Sequence, residues 1–142
     1  MNFESIGGVS LRVGTDLVSV ETVRGSIDTH AEHYLERVYT EQEVEDCRTS
    51  GGLDAERLAG RFAAKEATLK VLRPRDQGIP WNAIEVRRDP SGWVELELSG
   101  PAAALAAEAG VTDLSLSIAH EGDFATAVVV ARCASESRPS VR

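Results

Sequence analysis

The first proline of this chain is Pro74, and the stretch leading up to it is Leu58-Ala59-Gly60-Arg61-Phe62-Ala63-Ala64-Lys65-Glu66-Ala67-Thr68-Leu69-Lys70. It is built mostly from good helix formers, so the middle of the chain is committed to a helix running to about Leu72. Asp54 is in position to cap its start. Four charged side chains, Arg61, Lys65, Glu66 and Lys70, stand among small and apolar ones. Residues three to five apart share or adjoin a helix face. That spacing predicts one broad basic side formed by Arg61, Lys65 and Lys70, with Glu66 beside it. A lone acid among three bases is suited to hold a metal ion and a phosphate together. On spacing alone, a solvated face with i,i+4 pairs such as Glu66–Lys70 is the stronger reading.

The flanking segments supply partners for this helix. Val9 to Val20 reads as a strand entering the core at Leu11 and Val13, interrupted by Gly14-Thr15-Asp16. Asp16 needs a partner, because a dry, unpaired carboxylate costs roughly several kcal/mol. Asp16 and Glu66 are a candidate Mg²⁺ pair, since hard cations take oxygen ligands. The competing reading is that each carboxylate pairs with a local base. Residues 21–38 are mixed and moderately helical. Thr40-Glu41-Gln42-Glu43 is a capping box that opens a helix to about Arg48. Residues 73–80 form a loop.

The second half alternates as strands. Ala83–Arg88 and Trp93–Leu98 flank the turn Asp89-Pro90-Ser91-Gly92, which predicts an antiparallel hairpin. A short alanine-rich helix, Ala102–Ala109, follows Pro101. Asp113–Ile118 and the strongly apolar Phe124–Ala131 are further strands, the latter central. His120 stands at the turn between them, where a side chain can reach a site. His30 and His33 lack an acid or cysteine to complete a transition-metal set and read as surface residues. The predicted fold class is α+β, with a small antiparallel sheet of five strands packed on the long central helix. Residues 1–132 read as one domain and 133–142 as a disordered tail.

Composition narrows the function. The 23 Asp and Glu against 15 Lys and Arg give a formal net charge of −8. Such a molecule repels nucleic acid and anionic membranes, so neither is an expected partner. No apolar run reaches the ~18 residues of a membrane span, and no secretory signal opens the chain. Cys47 and Cys133 lack CxxC spacing and read as reduced thiols in a cytoplasmic protein. No phosphate-loop or hydrolase-elbow motif occurs.

Three segments together resemble a known family. Val13-Gly14-Thr15-Asp16-Leu17-Val18 is similar to the N-terminal motif of the holo-acyl-carrier-protein synthases, the small class of 4′-phosphopantetheinyl transferases. The segment from Leu58 to Ala67, with Lys70, resembles the family's main signature nearly residue for residue. Leu116-Ser117-Ile118-Ala119-His120-Glu121, with Ala125 and Ala127, resembles its C-terminal motif. Order, gaps and length fit over about residues 10–131.

The resemblance implies transfer of 4′-phosphopantetheine from coenzyme A to a serine of an apo acyl carrier protein, with release of adenosine 3′,5′-bisphosphate. By the same resemblance Asp16 and Glu66 hold Mg²⁺, Lys70 lies near the reacting phosphates, and Arg61 and His120 belong to the coenzyme A pocket. Lys65 and Lys70 are further candidates for its phosphates. Glu66 or a metal-bound water would take the serine proton. The resemblance also implies a homotrimer in which part of the cofactor pocket comes from a neighbouring subunit. The competing classes are a non-catalytic coenzyme A or carrier-protein binder and, on the pattern Asp16 with Glu66-x-x-x-Lys70, a metal-dependent nuclease.

The sequence departs from the family in three ways. Ala119 stands where the family usually has serine or threonine. The segment 19–24 after the first motif, commonly basic, here has Arg24 as its one base. The whole chain is acidic although its natural partner is acidic too. These departures predict a dedicated carrier protein of a secondary-metabolite or specialised fatty-acid pathway. Equal modification rates across several purified carrier proteins would overturn that expectation.

Overall fold

In the computed structural model, which describes residues 8–134, strand β1 (Val9–Ser19) lies directly on helix α3 (Ala55–Leu72). Gly14 makes this approach possible: a Cβ there would stand 2.1 Å from the Ala67 carbonyl oxygen. The opposing surface of α3 is correspondingly small, with Ala59, Gly60, Ala63, Ala64 and Ala67 all buried. Asp54 caps α3 by accepting from the Glu56 and Arg57 amides. At the other end Arg73 takes the left-handed conformation, and Arg12 on β1 donates to the Val71 carbonyl at 2.9 Å.

β1 continues unbroken through Gly14-Thr15-Asp16, so these residues do not interrupt the strand. Its facing also differs from the sequence expectation. Leu11 and Val13 do not enter the core: they are 67% and 64% exposed, and Leu17 is equally open. With a side-chain period of two, the face carrying Gly14 meets α3, and Arg12, Asp16 and Val18 go with it.

Helix α1 (Val20–Val38) starts at the Ser19 cap and kinks at His30. Helix α2 (Glu41–Asp46) carries the predicted Thr40–Glu43 capping box. It ends two residues before Arg48, because Arg48–Thr49 (β2) pairs with Gly52–Leu53 (β3) in a small ribbon. A single 3₁₀ turn, Trp81–Ala83, leads into β4 (Ile84–Arg88). The hairpin partner is β5 (Val94–Leu98). Then come α4 (Gly100–Glu108), β6 (Val111–Glu121) and β7 (Phe124–Ala134).

The protein is α+β, but its five long strands do not form one sheet. β1, β7 and β6 make a three-stranded antiparallel sheet with β7 in the centre, while β4–β5 is a separate two-stranded hairpin. The hairpin packs with α4 around its own apolar cluster of Leu72, Ala83, Ile84, Ala102, Leu105 and Ala106. The Ser99 amide donates to the Ala83 carbonyl at 2.9 Å and helps tie the hairpin's ends there. β7 runs to Ala134, where its amide meets the Gly110 carbonyl at 2.8 Å. Cys133 and Ala134, expected in a disordered tail, are thus part of the sheet, and residues 135–142 lie outside the described residues.

The Gly14 contact is open to a direct test. Gly14→Ala should destabilise the fold by roughly 1–3 kcal/mol, because the backbone of α3 must shift to admit a methyl group. Gly25→Ala, in open space on α1, should be neutral or stabilising by up to about 1 kcal/mol. Urea unfolding of both variants measures the contrast.

Candidate active site

α3 carries charged groups into three environments, and helix geometry dictates which. A residue advances about 100° around the axis, so Arg61 and Glu66 point about 140° apart and Arg61 and Lys70 about 180° apart. The single basic side expected from spacing therefore does not exist.

Lys65 departs furthest from expectation. It is fully buried, and its Nζ donates to Glu43 Oε1 at 2.7 Å, to the Trp81 carbonyl at 3.1 Å and to the Ile84 carbonyl. Burial lowers its proton affinity, and Glu43 opposes that shift. All three ammonium hydrogens are engaged, so Lys65 is not available to a cofactor phosphate. The faced elements, α2 and β4, leave no solvent on this side of α3.

On another side of α3, Lys70 reaches across to β1. Its Nζ lies 3.1 Å from Asp16 Oδ1 and 2.7 Å from the Thr15 carbonyl. Glu66, one turn before Lys70, faces the same strand. Its carboxyl pKa is raised, first by burial, then by the charge of Asp16 and by a hydrogen bond with it; Lys70 pulls the other way. Asp16, Glu66 and Lys70 thus form one cluster. Its donor set is two hard oxygen groups, with no third His, Cys, Asp or Glu joining them among the described residues. That suits Mg²⁺, which takes one or two carboxylates and fills its remaining positions with water and substrate phosphate.

Arg61 and His120 meet elsewhere, in a cleft of about 350 Å³ between α3, β6 and the β4–β5 hairpin. Arg57, Arg88, Trp93 and Ile118 complete its principal walls. Gly60 admits β6: a Cβ there would stand 2.8 Å from Ile118 Cγ2 and 3.3 Å from His120 Nε2. Arg61 is only 5% exposed, and its Nε is buried with no hydrogen-bond partner. A buried cationic donor without an acceptor is a place for an anion. Arg57, Arg88 and Trp93 join the cleft from outside the three motifs. Arg57 stands four residues before Arg61, and Arg88 and Trp93 flank the predicted turn, so both signals were present.

The two groups stand on opposite edges of the sheet. Asp16 is on β1 opposite Ala127, and His120 is on β6 opposite Ala125, with β7 between them. Two strand spacings separate those edges, roughly 10 Å.

Fold and site together define a class: a small α+β protein with a carboxylate pair and a separate arginine-lined cleft arranged around one helix. Comparison with known proteins narrows it. The profile of the 4′-phosphopantetheinyl transferase superfamily matches residues 12–129. A holo-acyl-carrier-protein synthase of Caldanaerobacter subterraneus is 40% identical, covering 84% of this chain and 92% of its own. One from Desulforudis audaxviator is 39% identical, covering 90% and 97%. A Chronobacterium ammoniagenes ACPS–CoA complex superposes with a TM-score of 0.76 at 34% identity, covering 86% of this chain and 96% of that one. This chain belongs to the 4′-phosphopantetheinyl transferase superfamily, as a relative of its holo-acyl-carrier-protein synthases. The nuclease reading has no support among these findings. No described helix is long and apolar enough to cross a membrane.

The assignment of Lys65 as a structural cation makes a stability prediction. Lys65→Met leaves Glu43 buried and unpaired and should cost roughly 3–5 kcal/mol in urea unfolding. Adding Glu43→Gln removes that charge and should recover part of the loss. A single variant as stable as wild type would contradict the assignment.

Proposed function

We propose that each active site is assembled from two subunits, with the Asp16–Glu66–Lys70 cluster of one facing the Arg61–His120 cleft of its neighbour. The reaction is that of the family. A serine hydroxyl of an apo acyl carrier protein attacks the β-phosphate of coenzyme A and takes up 4′-phosphopantetheine. Adenosine 3′,5′-bisphosphate leaves. The observation that carries the two-subunit reading is the separation of the groups on opposite sheet edges.

Asp16 and Glu66 would hold Mg²⁺, which when bound neutralises charge on the pyrophosphate. Lys70 adds a mobile positive charge on the same side, 54% exposed at its side chain and so able to leave Asp16 for a phosphate. Glu66, or a water held by the ion, would accept the serine proton. Arg61 and His120 would bind the nucleotide half of coenzyme A, Arg61 through the donor that lacks a partner. Lys65 has no part in substrate binding.

The outer sheet face supports a homotrimer. Leu11, Val13, Leu17, Phe124 and Val128 are all exposed there, and a contiguous exposed apolar row suits contact with another chain. Sedimentation of the active wild-type chain as a monomer would overturn the trimer. Two buried free thiols, Cys47 and Cys133, support a reducing, cytoplasmic setting.

Transfer is read as the mass gain of an apo carrier protein incubated with coenzyme A, Mg²⁺ and enzyme. Asp16→Asn and Glu66→Gln should each lower the rate by at least ~100-fold with the fold intact by circular dichroism. Retained activity in both would refute the metal assignment. Co-assembly of inactive Glu66→Gln with inactive Arg61→Ala should restore up to about a quarter of wild-type activity, by random assortment of subunits in a shared-site assembly. No restoration in demonstrably mixed trimers would place the site within one subunit.

A further inference from the structure

The cleft has one wall that charge does not explain. Trp93 is 77% exposed, more open than any other large apolar side chain among the described residues. The other tryptophan, Trp81, packs against Phe62 with ring centroids 5.1 Å apart and contributes to the core. Trp93 instead stands at the tip of the β4–β5 hairpin and lines the cleft beside Arg88 and Arg61.

The tip holds it firmly. Asp89 accepts from the Ser91 amide at 2.9 Å, from the Ser91 hydroxyl and from the Trp93 amide at 3.1 Å. The Asp89 amide donates to the Trp93 carbonyl at 2.9 Å, and the Gly92 amide to the Asp89 carbonyl at the same distance. Gly92 sits at φ +97°, a conformation that side-chain-bearing residues rarely adopt. A bare indole on a pre-formed turn is a flat surface that costs little ordering entropy to use.

We propose that Trp93 is a specificity-determining residue that stacks on the adenine ring of the bound nucleotide. This rests on the reading that the cleft takes the nucleotide half of coenzyme A. Adenine is the flat aromatic part of that substrate, and the rest is phosphate, ribose and a flexible pantetheine arm. The arginines of the cleft supply positive charge, which attracts any phosphorylated ligand. An indole face adds preference for a ligand that also carries a base. Trp93 therefore separates adenine nucleotides from base-free phosphates, while Arg61 and Arg88 supply charge that both classes share.

Two probes distinguish these contributions, adenosine 3′,5′-bisphosphate and inorganic pyrophosphate, each titrated calorimetrically into the intact protein. Trp93→Ala should weaken the adenosine probe about tenfold, and Trp93→Phe by no more than about threefold, since a smaller ring still stacks. Pyrophosphate binding should be unchanged in both. Arg61→Ala should weaken both probes, which tests the cleft's anion role separately. Equal adenosine affinity in Trp93→Ala and wild type would overturn the proposal. So would equal loss of both probes, or loss of the oligomer with unchanged affinity per site, which would make Trp93 an interface residue. Failure of the wild type to bind the adenosine probe would overturn the cleft reading itself. An unchanged Trp93→Ala with a weakened Arg61→Ala would leave that reading standing and remove Trp93 alone.

Discussion

The buried ion pair between Glu43 and Lys65 fixes how the two halves of this molecule sit together. Both side chains are fully buried. Glu43 Oε1 accepts from Lys65 and from the Thr40 amide, and Oε2 accepts from the Val86 amide. Lys65 in turn donates to carbonyls at Trp81 and Ile84. One pair thus joins the start of α2, the middle of α3, the 3₁₀ turn and β4. Burying two charges costs several kcal/mol per ion, so such a pair is weak grounds for claiming net stability. Its effect is geometric. A carboxylate with three donors and an ammonium with three acceptors tolerate one arrangement of the surrounding backbone, and an apolar pair of equal volume would tolerate several.

That arrangement decides where the functional groups fall. With Lys65 turned inward, the next residue, Glu66, is rotated about 100° away, toward β1. Arg61, one turn earlier and close to the Lys65 stripe, ends at the cleft with one donor unused. β4, gripped by Glu43 and Lys65, carries Arg88 and the hairpin tip to the cleft's far side. The separation of a carboxylate cluster from an arginine cleft follows from the rotation of α3, and the ion pair sets that rotation. Glycines at two positions complete it. Gly14 brings β1 close enough for Asp16 to meet Lys70, and Gly60 lets β6 bring His120 beside Arg61.

Much of this was legible in the sequence. The helix, its Asp54 cap, the Thr40–Glu43 capping box and the hairpin are legible as local patterns, and so is the apolar run that makes β7 central. Two local expectations fail, since Gly14-Thr15-Asp16 does not interrupt β1 and His120 lies within β6 and not in the turn after it. Asp16, Glu66 and Lys70 were linked through motif order, and the structure brings them together. The burial of Lys65 is not legible in the sequence, because its partner lies 22 residues away and nothing near it demands burial. The facing of β1 is hidden for a different reason. Its more apolar face, Leu11, Val13 and Leu17, points outward, while the face against α3 carries Arg12, Gly14 and Asp16. The facing is set by the close approach of the backbone at Gly14 to Ala67 of α3, which strand alternation alone does not reveal. The hairpin's failure to join the main sheet is likewise non-local, since edge pairing is not encoded by the strand's own alternation.

The charge balance adds a constraint on how such a site works. The net charge is −8, and coenzyme A and an acyl carrier protein are both anionic, so the long-range field opposes each encounter. α1 does little to reverse it: Arg24 is already paired with Glu21, and Asp28, Glu32 and Glu36 follow. Attraction must therefore come from short range, where screening by salt leaves only groups within about 8–10 Å in play. Arg57, Arg61 and Arg88 at one cleft meet that condition for the nucleotide. For a carrier protein no comparable basic cluster stands on α1, so shape and apolar contact have to supply what charge does not. Affinity built that way depends on the partner's exact surface more than on its charge.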